Sequence, residues 1–309
     1  MGTRNILIEA CELPKPDVIM LLIKHNGNEI DLNSPDPKTG RTPLTSAVEK
    51  GLIETVKVLI NHGANPDIKN ENGNSPLTSA IESIKDDDLE IIKLLIDQGA
   101  NVDIINEDKE GMTPLICAIN CGYIEVVKIL LKNGANIEAE DSNSQTSIYR
   151  AIFENNGEIV KILLANGAKI DHLGNGDTPI HFAIMFNKQS IFDTLLNTNP
   201  DLSLPCFDSL LHWAVYMGNM EIAEKLISYG VDVDSKDSDE MSSIHTAIEE
   251  IEEASDSVQA TQWLLRKCAS LKIRNLDGNN PLECALNKKE NKLDLIRVIA
   301  FHQHKMLFC

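Results

Sequence analysis

Three histidines are the side chains best suited to acid–base chemistry here, because an imidazole exchanges its proton near neutral pH. His181, His212 and His245 follow one another at steps of 31 and 33 residues, each three residues after a Thr or Ser. A catalytic histidine is needed once, beside its reacting partner, whereas these three recur at one place of a repeating segment. Their spacing therefore favours a structural role over catalysis.

The seven cysteines offer little metal or redox chemistry. No two of them form a C-x-x-C pair, and Cys117 and Cys121 occupy positions of a predicted helix. His302, His304 and Cys309 could contact a metal, but two histidines on a tail are weak evidence for zinc, which structural sites bind with four ligands. We therefore predict no metal site and no cofactor.

Phosphate-binding loops are also absent from the pattern. The segment Gly174-Asn175-Gly176 is a turn that precedes a helix opened by Thr178-Pro179, and it lacks the spacing of a nucleotide-binding loop. With no nucleophile, base or phosphate loop in a recognisable arrangement, we do not expect an enzyme or a small-molecule substrate.

The segment Gly111–Ala139 shows which elements hold these residues. Thr113 is placed to cap a helix, and Pro114 fills the first helical position, where its missing N–H costs nothing. Gly122 suits the left-handed residue that ends this helix, and Gly134 suits the end of a second one. Each predicted helix has one apolar face that it cannot bury alone, so the unit requires neighbours.

Copies of this segment fill most of the chain. After Thr42, the equivalent start positions are Ser75, Thr113, Thr146, Thr178, Ser209, Ser242 and Asn280. A repeat of about 33 residues with two helices and a turn resembles the ankyrin repeat. The resemblance covers roughly residues 39–301. It implies an all-α, ankyrin-repeat solenoid of about nine helix-turn-helix repeats joined by β-hairpin turns.

We predict a single array over residues 1–309. Residues 1–38 form an N-terminal capping repeat, 39–276 hold seven internal repeats, and 277–309 form a C-terminal capping repeat and tail. The acidic segment 249–256 is the largest irregularity, and we expect a solvated loop or helix extension with the second helix resuming near Gln259. The resemblance also implies that the repeated histidines hydrogen-bond the backbone between repeats.

Charge and composition restrict the partners. The formal net charge of −19 disfavours nucleic acid and anionic membrane surfaces, which require a basic face, and favours a basic protein surface. No apolar run approaches the ~18 residues of a membrane span. Scattered cysteines in odd number fit a reducing compartment, so we expect a cytoplasmic or nuclear protein.

In ankyrin repeats, the hairpin tips and the exposed side of the first helix line a concave groove where most partners bind. The resemblance therefore points to the two residues after each buried Ala–apolar pair and to the residue before each Thr or Ser start. The predicted partner-binding residues are Met112, Phe153, Glu154, Asp177, Met185, Phe186, Asp208, Tyr216, Met217, Met241, Glu249 and Glu250. Alternatively, the large side chains fold down to fill gaps where Asn155 and Asn187 replace glycine.

An acidic residue also ends the hairpin in five repeats, at a position where the family often has asparagine. These residues are Asp67, Asp103, Glu138, Asp171 and Asp234. They predict an acidic stripe beside the apolar groove residues. The resemblance implies that asparagine at this position can be hydroxylated. Because these five repeats carry Asp or Glu instead, we do not expect that modification.

Two functions fit this pattern. The first is an interaction protein that sequesters or inhibits a partner through the groove, and the second is an adaptor that recruits machinery such as a ubiquitin ligase. The segment Leu293–Cys309 is too short for an F-box-like motif and lacks its Leu-Pro start, which disfavours the adaptor. Heavy use of Ile, Asn and Lys is typical of AT-rich genomes, as in intracellular bacteria or large DNA viruses, and favours a host-directed effector acting in the host cytosol.

Overall fold

The computed structural model describes residues 6–26, 30–84, 89–202, 209–289 and 292–306. Within these ranges the regular secondary structure is helical, and β-pairing is limited to three isolated bridges. The bridges join Asn106 to Met112, Gly174 to Asp177, and Lys236 to Ser242. Each of them closes a hairpin turn between helix pairs, as the repeat pattern predicts.

The described helices fall into two compact units, one ending at Lys169 and the other beginning at Ile170. In the first unit the helices are α1 (Ile6–Cys11), α2 (Pro16–Asn26), α3 (Pro43–Glu49), α4 (Ile53–Asn61), α5 (Pro76–Glu82), α6 (Glu90–Asp97), α7 (Pro114–Asn120), α8 (Ile124–Lys132), α9 (Ser147–Phe153) and α10 (Gly157–Ala165). In the second unit they are α11 (Pro179–Met185), α12 (Gln189–Leu196), α13 (Leu210–Tyr216), α14 (Met220–Ser228), α15 (Ser243–Glu249), α16 (Ala254–Arg266), α17 (Pro281–Asn287) and α18 (Lys292–Met306).

The odd-numbered helices are the first helices of each pair, and polar caps fix where they begin. The hydroxyl of Thr42 accepts a hydrogen bond from the backbone N–H of Thr45 at 3.2 Å, and Ser75 does the same for Thr78. Thr113 caps α7 in the same way, through the N–H of Ile116. Proline follows each of these caps and sets the first helical turn.

Left-handed residues end the first helices and turn the chain into the second ones. Gly51, Gly122 and Gly218 have φ of 70°, 72° and 68°. Asn155 and Asn187 take the same conformation, with φ of 56° and 51°. Asparagine tolerates this region better than most residues, so the turn survives the loss of glycine.

Burial of both helix faces stabilises the stacks. In the first unit, α3, α5, α7 and α9 pack side by side in sequence, and in the second unit α11, α13, α15 and α17 do so. Leu115, Leu130 and Leu163 in the first unit are fully buried, as is Leu226 in the second. Each such leucine contributes about 1.5–3 kcal/mol relative to an exposed one. Every repeat therefore depends on its neighbours for its core.

Four of the five acidic residues of the predicted stripe accept a hydrogen bond from the backbone of the following repeat. Asp67 accepts the N–H of Asn101 at 2.8 Å, Asp103 accepts that of Asn136 at 2.8 Å, and Asp234 accepts that of Ser270 at 2.8 Å. Glu138 makes the equivalent bond to Lys169 at 2.9 Å. These carboxylates thus have a structural role and are not simply a solvated acidic surface.

The acidic segment before α16 forms the helix extension that the sequence offered as one alternative, but the helix begins earlier than expected. Helix α16 begins at Ala254, earlier than the predicted resumption near Gln259. Ser257 is fully buried, and its hydroxyl donates to the carbonyl of Ala247 at 2.7 Å, while Ile251 is also buried. The extension is therefore anchored against α15, while residues 252–256, including the acidic Glu252 and Glu253, remain in solvent.

Candidate partner-binding surface

The three repeated histidines connect neighbouring repeats of the second unit. The Nε2 atom of His212 lies 2.8 Å from the carbonyl oxygen of Met241, and that of His245 lies 3.1 Å from the carbonyl oxygen of Asn279. The Nε2 atom of His181 lies 2.9 Å from the hydroxyl of Ser209. The imidazoles are buried and committed to structure, which leaves them unsuited to proton transfer.

Hydrogen bonding assigns the protonation state of His181. Its Nδ1 atom accepts the backbone N–H of Thr178 at 3.2 Å, so the ring proton resides on Nε2 and donates to Ser209. Burial lowers the pKa of His181 to about 4, and burial also lowers the pKa of His245. Both rings are therefore neutral near pH 7.

The cysteines and acidic residues form no metal centre in the described ranges. No group of three or more His, Cys, Asp or Glu side chains there could hold a metal ion. Cys117 is buried and Cys121 is exposed, and a hydrogen bond between their thiols raises the pKa of Cys117 and lowers that of Cys121. Cys309, which the sequence offered as a metal ligand, lies outside the described residues.

In the first unit, the predicted contact residues differ in exposure. Phe153, the last residue of α9, is 52% exposed, and Glu154 beside it is also exposed. Met112 is half-buried, and its sulfur accepts a hydrogen bond from the amide of Asn120 at 3.2 Å.

In the second unit, three large apolar side chains lie exposed at equivalent ends of α11 and α13, which pack side by side. Phe186, Tyr216 and Met217 are 40%, 46% and 42% exposed, and we call these three residues the apolar face. Met185, the residue equivalent to Tyr216, is half-buried. The alternative, in which these side chains fold into gaps, does not describe the apolar face, because the left-handed Asn187 leaves the turn intact.

Two predicted residues do not join the apolar face. Met241 was predicted to contact a partner, but only 9% of its surface is exposed, so its side chain is too buried for that contact. It is held in place because its carbonyl binds His212 and its N–H donates to Asp237 at 2.9 Å. Asp208 lies outside the described residues.

A cleft of about 670 Å³ opens next to the apolar face. Hairpin and first-helix residues of three consecutive repeats line it: Gly176, Asp177, Ser209, His212, Trp213, Tyr216, Asp237, Ser238, Asp239, Thr246 and Glu250. We call this the acidic cleft, because its described lining residues include four carboxylates and no lysine or arginine. Helices α13 and α15 and two described hairpins thus border one cleft.

Two carboxylates of the acidic cleft, Asp177 and Glu250, have raised pKa values. Burial raises the pKa of Asp177. Burial also raises the pKa of Glu250, and the nearby carboxylates of Asp237, Glu249 and Asp239 raise it further. These carboxylates repel one another at a partly desolvated site, and a bound cation would reduce that repulsion.

Trp213 is the cleft residue that sequence reasoning missed. It is half-buried, and its ring meets that of Tyr216 edge-on, with centroids 6.0 Å apart and an interplanar angle of 86°. The equivalent position holds a small residue in five other repeats, but Arg150 and Phe182 in two. The small residues are Ser46, Ser79, Cys117, Thr246 and Cys284. The available signal was a large aromatic residue, Trp213, followed at the equivalent position of the next repeat by the smaller Thr246.

Comparison with known proteins identifies the repeats. A family model described as ankyrin repeats in three copies matches residues 7–106, 62–141, 80–173, 139–206 and 211–306. Together these matches cover most of the chain, in both compact units.

The proteins that share these repeats differ widely in kind. The human transient receptor potential cation channel subfamily A member 1 is 28% identical over 299 residues, covering 81% of this chain and 26% of the channel. A fowlpox virus (strain NVSL) protein named for its ankyrin repeats, FPV031, is 29% identical over 187 residues, covering 60% and 53% of the two chains. A similarly named Rickettsia bellii protein is 34% identical over 109 residues, covering 35% and 40%. This chain thus spans between a quarter and about half of the length of these relatives.

Proposed function

Because this chain belongs to the ankyrin-repeat family, whose repeats are general protein–protein interaction modules, we propose that it binds a partner protein through the groove of its second unit and thereby sequesters or inhibits that partner. The observation that carries the proposal is the apolar face beside the acidic cleft. Phe186, Tyr216 and Met217 would anchor the partner, and Asp177, Glu249 and Glu250 would attract it.

Exposure of these side chains supports binding of a protein. Aromatic residues and methionine are enriched where proteins meet, and a few such anchors carry most of the binding energy. Contiguous exposed apolar groups are uncommon on monomers unless they serve an interaction. The three residues of the apolar face lie on helices that pack against each other, so one partner segment could cover them together.

Charge supports a basic partner. The net charge of −19 and the carboxylates of the acidic cleft would speed the approach of a positively charged protein and repel acidic ones. Nucleic acid would meet the same repulsion. No described helix is long and apolar enough to cross a membrane.

We extend the proposal to the remaining predicted contacts and to the compartment. Phe153, Glu154 and Met112 are proposed contacts in the first unit, independent of those in the second. Action in a reducing compartment, the cytosol or nucleus of a host cell, is supported by the free thiols of Cys117 and Cys121, which hydrogen-bond each other.

Site-specific photo-cross-linking tests the proposal. A benzoylphenylalanine replaces Phe186 on the apolar face, or Tyr229, which is 47% exposed at the end of α14 on the second-helix side. We expect one cross-linked partner at position 186, and its yield should fall when Tyr216→Ala is added to the same chain. Equal cross-linking from both positions, or a yield insensitive to Tyr216→Ala, would refute the groove as the binding surface.

A further inference from the structure

We propose that the acidic cleft is a socket for one arginine side chain of the partner protein, whose guanidinium packs on Trp213 and pairs with Glu250 and Asp239. The inference rests on the proposed function and deepens it, because it states which group of a basic partner enters the second unit. Three independent features of the cleft carry it: an aromatic wall, an excess of carboxylates, and a space of suitable size.

The aromatic wall arises from a difference between neighbouring repeats. Trp213 on α13 and Thr246 on α15 occupy equivalent positions of adjacent first helices, and both line the cleft. A large ring beside a small side chain leaves a step in the surface. The edge-on contact with Tyr216 holds the Trp213 indole in place, so that it can act as a preformed platform for a flat group.

The carboxylates come from both the hairpins and a first helix. Asp177 and the pair Asp237 and Asp239 belong to two hairpins, and Glu250 follows α15. The Oδ1 atom of Asp237 accepts the N–H groups of Asp239 at 3.0 Å and Met241 at 2.9 Å, which fixes that hairpin. The carboxylates of the cleft are therefore close together, and the hairpin that carries Asp237 and Asp239 is held by backbone hydrogen bonds.

The described cations near the cleft are engaged elsewhere. Lys236 pairs with Glu240 at 2.7 Å, outside the lining of the cleft. The imidazole of His212 faces the cleft but donates to the carbonyl of Met241, and neither Glu250 nor Asp239 forms an ion pair with any described residue. Burial, and then the neighbouring carboxylates, raise the pKa of Glu250, and a partner's cation would compensate the charge of these carboxylates.

Arginine fits these features better than other cations. Its planar guanidinium stacks on aromatic faces and forks onto carboxylates, whereas the ammonium of lysine is a strongly hydrated point charge. The second unit already contains a weaker example of such a contact, because Lys267 Nζ lies 5.6 Å from the ring centroid of Trp263. The cleft of about 670 Å³ has ample room for one long side chain with its flanking backbone.

Nuclear magnetic resonance of the two tryptophan indole N–H groups tests the socket. The chain contains only Trp213 and Trp263, so Trp263→Phe assigns both signals and the Trp263 signal serves as an internal reference. Three peptides of sequence Gly-Ser-Gly-X-Gly-Ser-Gly carry arginine, lysine or citrulline at X. Citrulline keeps the shape of arginine and removes its charge.

We expect the arginine peptide to shift the Trp213 signal and leave the Trp263 signal in place, with an affinity at least about 5-fold above that of the citrulline peptide. Equal affinities for arginine and citrulline would refute a cation socket. Equal affinities for arginine and lysine would refute the arginine assignment.

Two matched charge-neutralising variants complete the test. Glu250→Gln should weaken arginine binding by about 5-fold or more, and Glu252→Gln, exposed and outside the cleft lining, should change it by less than about 2-fold. Circular dichroism checks that both variants keep their helicity. Equal effects of the two variants would show that general negative charge, and not the cleft, attracts the peptide.

The peptide experiment and the cross-linking experiment can succeed or fail independently. A socket that discriminates arginine from citrulline stands even if cross-linking at position 186 captures no partner. Conversely, a partner captured at position 186 supports the interface even if the peptides show no discrimination, and in that case the socket is wrong.

Discussion

Acidification should destabilise the second unit through His181. The Nδ1 atom of this ring accepts the N–H of Thr178, and its Nε2 atom donates to Ser209, so the neutral ring satisfies both neighbours. A second proton on the ring would remove the acceptor for Thr178 and bring a charge into a buried site. Folding therefore favours the neutral form.

The size of the effect follows from the pKa. The pKa of His181 falls from 6.5 to about 4 on folding. Because the folded value lies below the unfolded one, the stabilisation is complete above pH 6.5 and is lost as pH falls from 6.5 toward 4. Linkage gives a loss of about 2 kcal/mol in the free energy of unfolding between pH 7 and pH 5, and about 3 kcal/mol by pH 4.

Urea unfolding followed by tryptophan fluorescence measures this loss. Trp213 and Trp263 both lie in the second unit, so the signal reports that unit. Other groups titrate in the same range, and burial also lowers the pKa of His245. The informative quantity is therefore the difference between wild type and His181→Gln, since glutamine at this position can still accept the N–H of the cap residue.

We expect the free energy of unfolding of His181→Gln to fall by about 2 kcal/mol less than that of wild type between pH 7 and pH 5. The control is His302→Gln, which removes a histidine of the last helix, α18, and leaves the hydrogen bonds of His181 in place. Parallel pH dependence of wild type and His181→Gln would show that His181 can be protonated in the folded chain at little cost, and the reasoning would be wrong.

Three further predictions concern stability and can be measured by urea unfolding followed by circular dichroism, which reports the helices of both units. Leu130→Ala in α8 should cost about 2–5 kcal/mol, because the side chain is fully buried and leaves a cavity, and a loss below ~0.5 kcal/mol would contradict that packing. Asp103→Ala should cost about 1 kcal/mol by removing the acceptor for the N–H of Asn136, whereas Asp103→Asn should stay close to wild type; equal losses would mean that the carboxylate acts only through charge. Cys268→Gly should add about 0.5–1 kcal/mol, because Cys268 holds a left-handed φ of 67° that glycine adopts without strain, and a destabilised variant would contradict this.

The repeated fold was predictable because its signals are local. A Thr or Ser cap followed by proline, as at Thr113-Pro114, begins a helix whatever lies beyond it, and Gly122 ends that helix through its own backbone freedom. These signals recur along the chain, so their number and order also follow from the sequence. The start of α16 was misjudged because its acidic residues show no apolar period, and the contact of Ser257 with Ala247 depends on tertiary packing.

The site was less predictable because it depends on contacts between repeats. The position of Met241 indicated exposure, but hydrogen bonds to His212 and Asp237 hold its backbone and leave its side chain buried. Asp103 looked like part of a free acidic stripe, yet it accepts a backbone N–H from the next repeat. The recognition value of Trp213 appears only beside the smaller Thr246 of the neighbouring helix.

The most direct test of the groove interface compares two tyrosines of nearly equal exposure. Tyr216 on the apolar face is 46% exposed and Tyr229 at the end of α14 is 47% exposed. Affinity for the partner captured by cross-linking is measured for Tyr216→Ala and Tyr229→Ala, with helicity checked for both. The groove interface predicts a loss of about 2 kcal/mol, roughly 30-fold in Kd, for Tyr216→Ala and less than about 2-fold for Tyr229→Ala. Wild-type affinity in Tyr216→Ala, or equal losses in both variants, would contradict it.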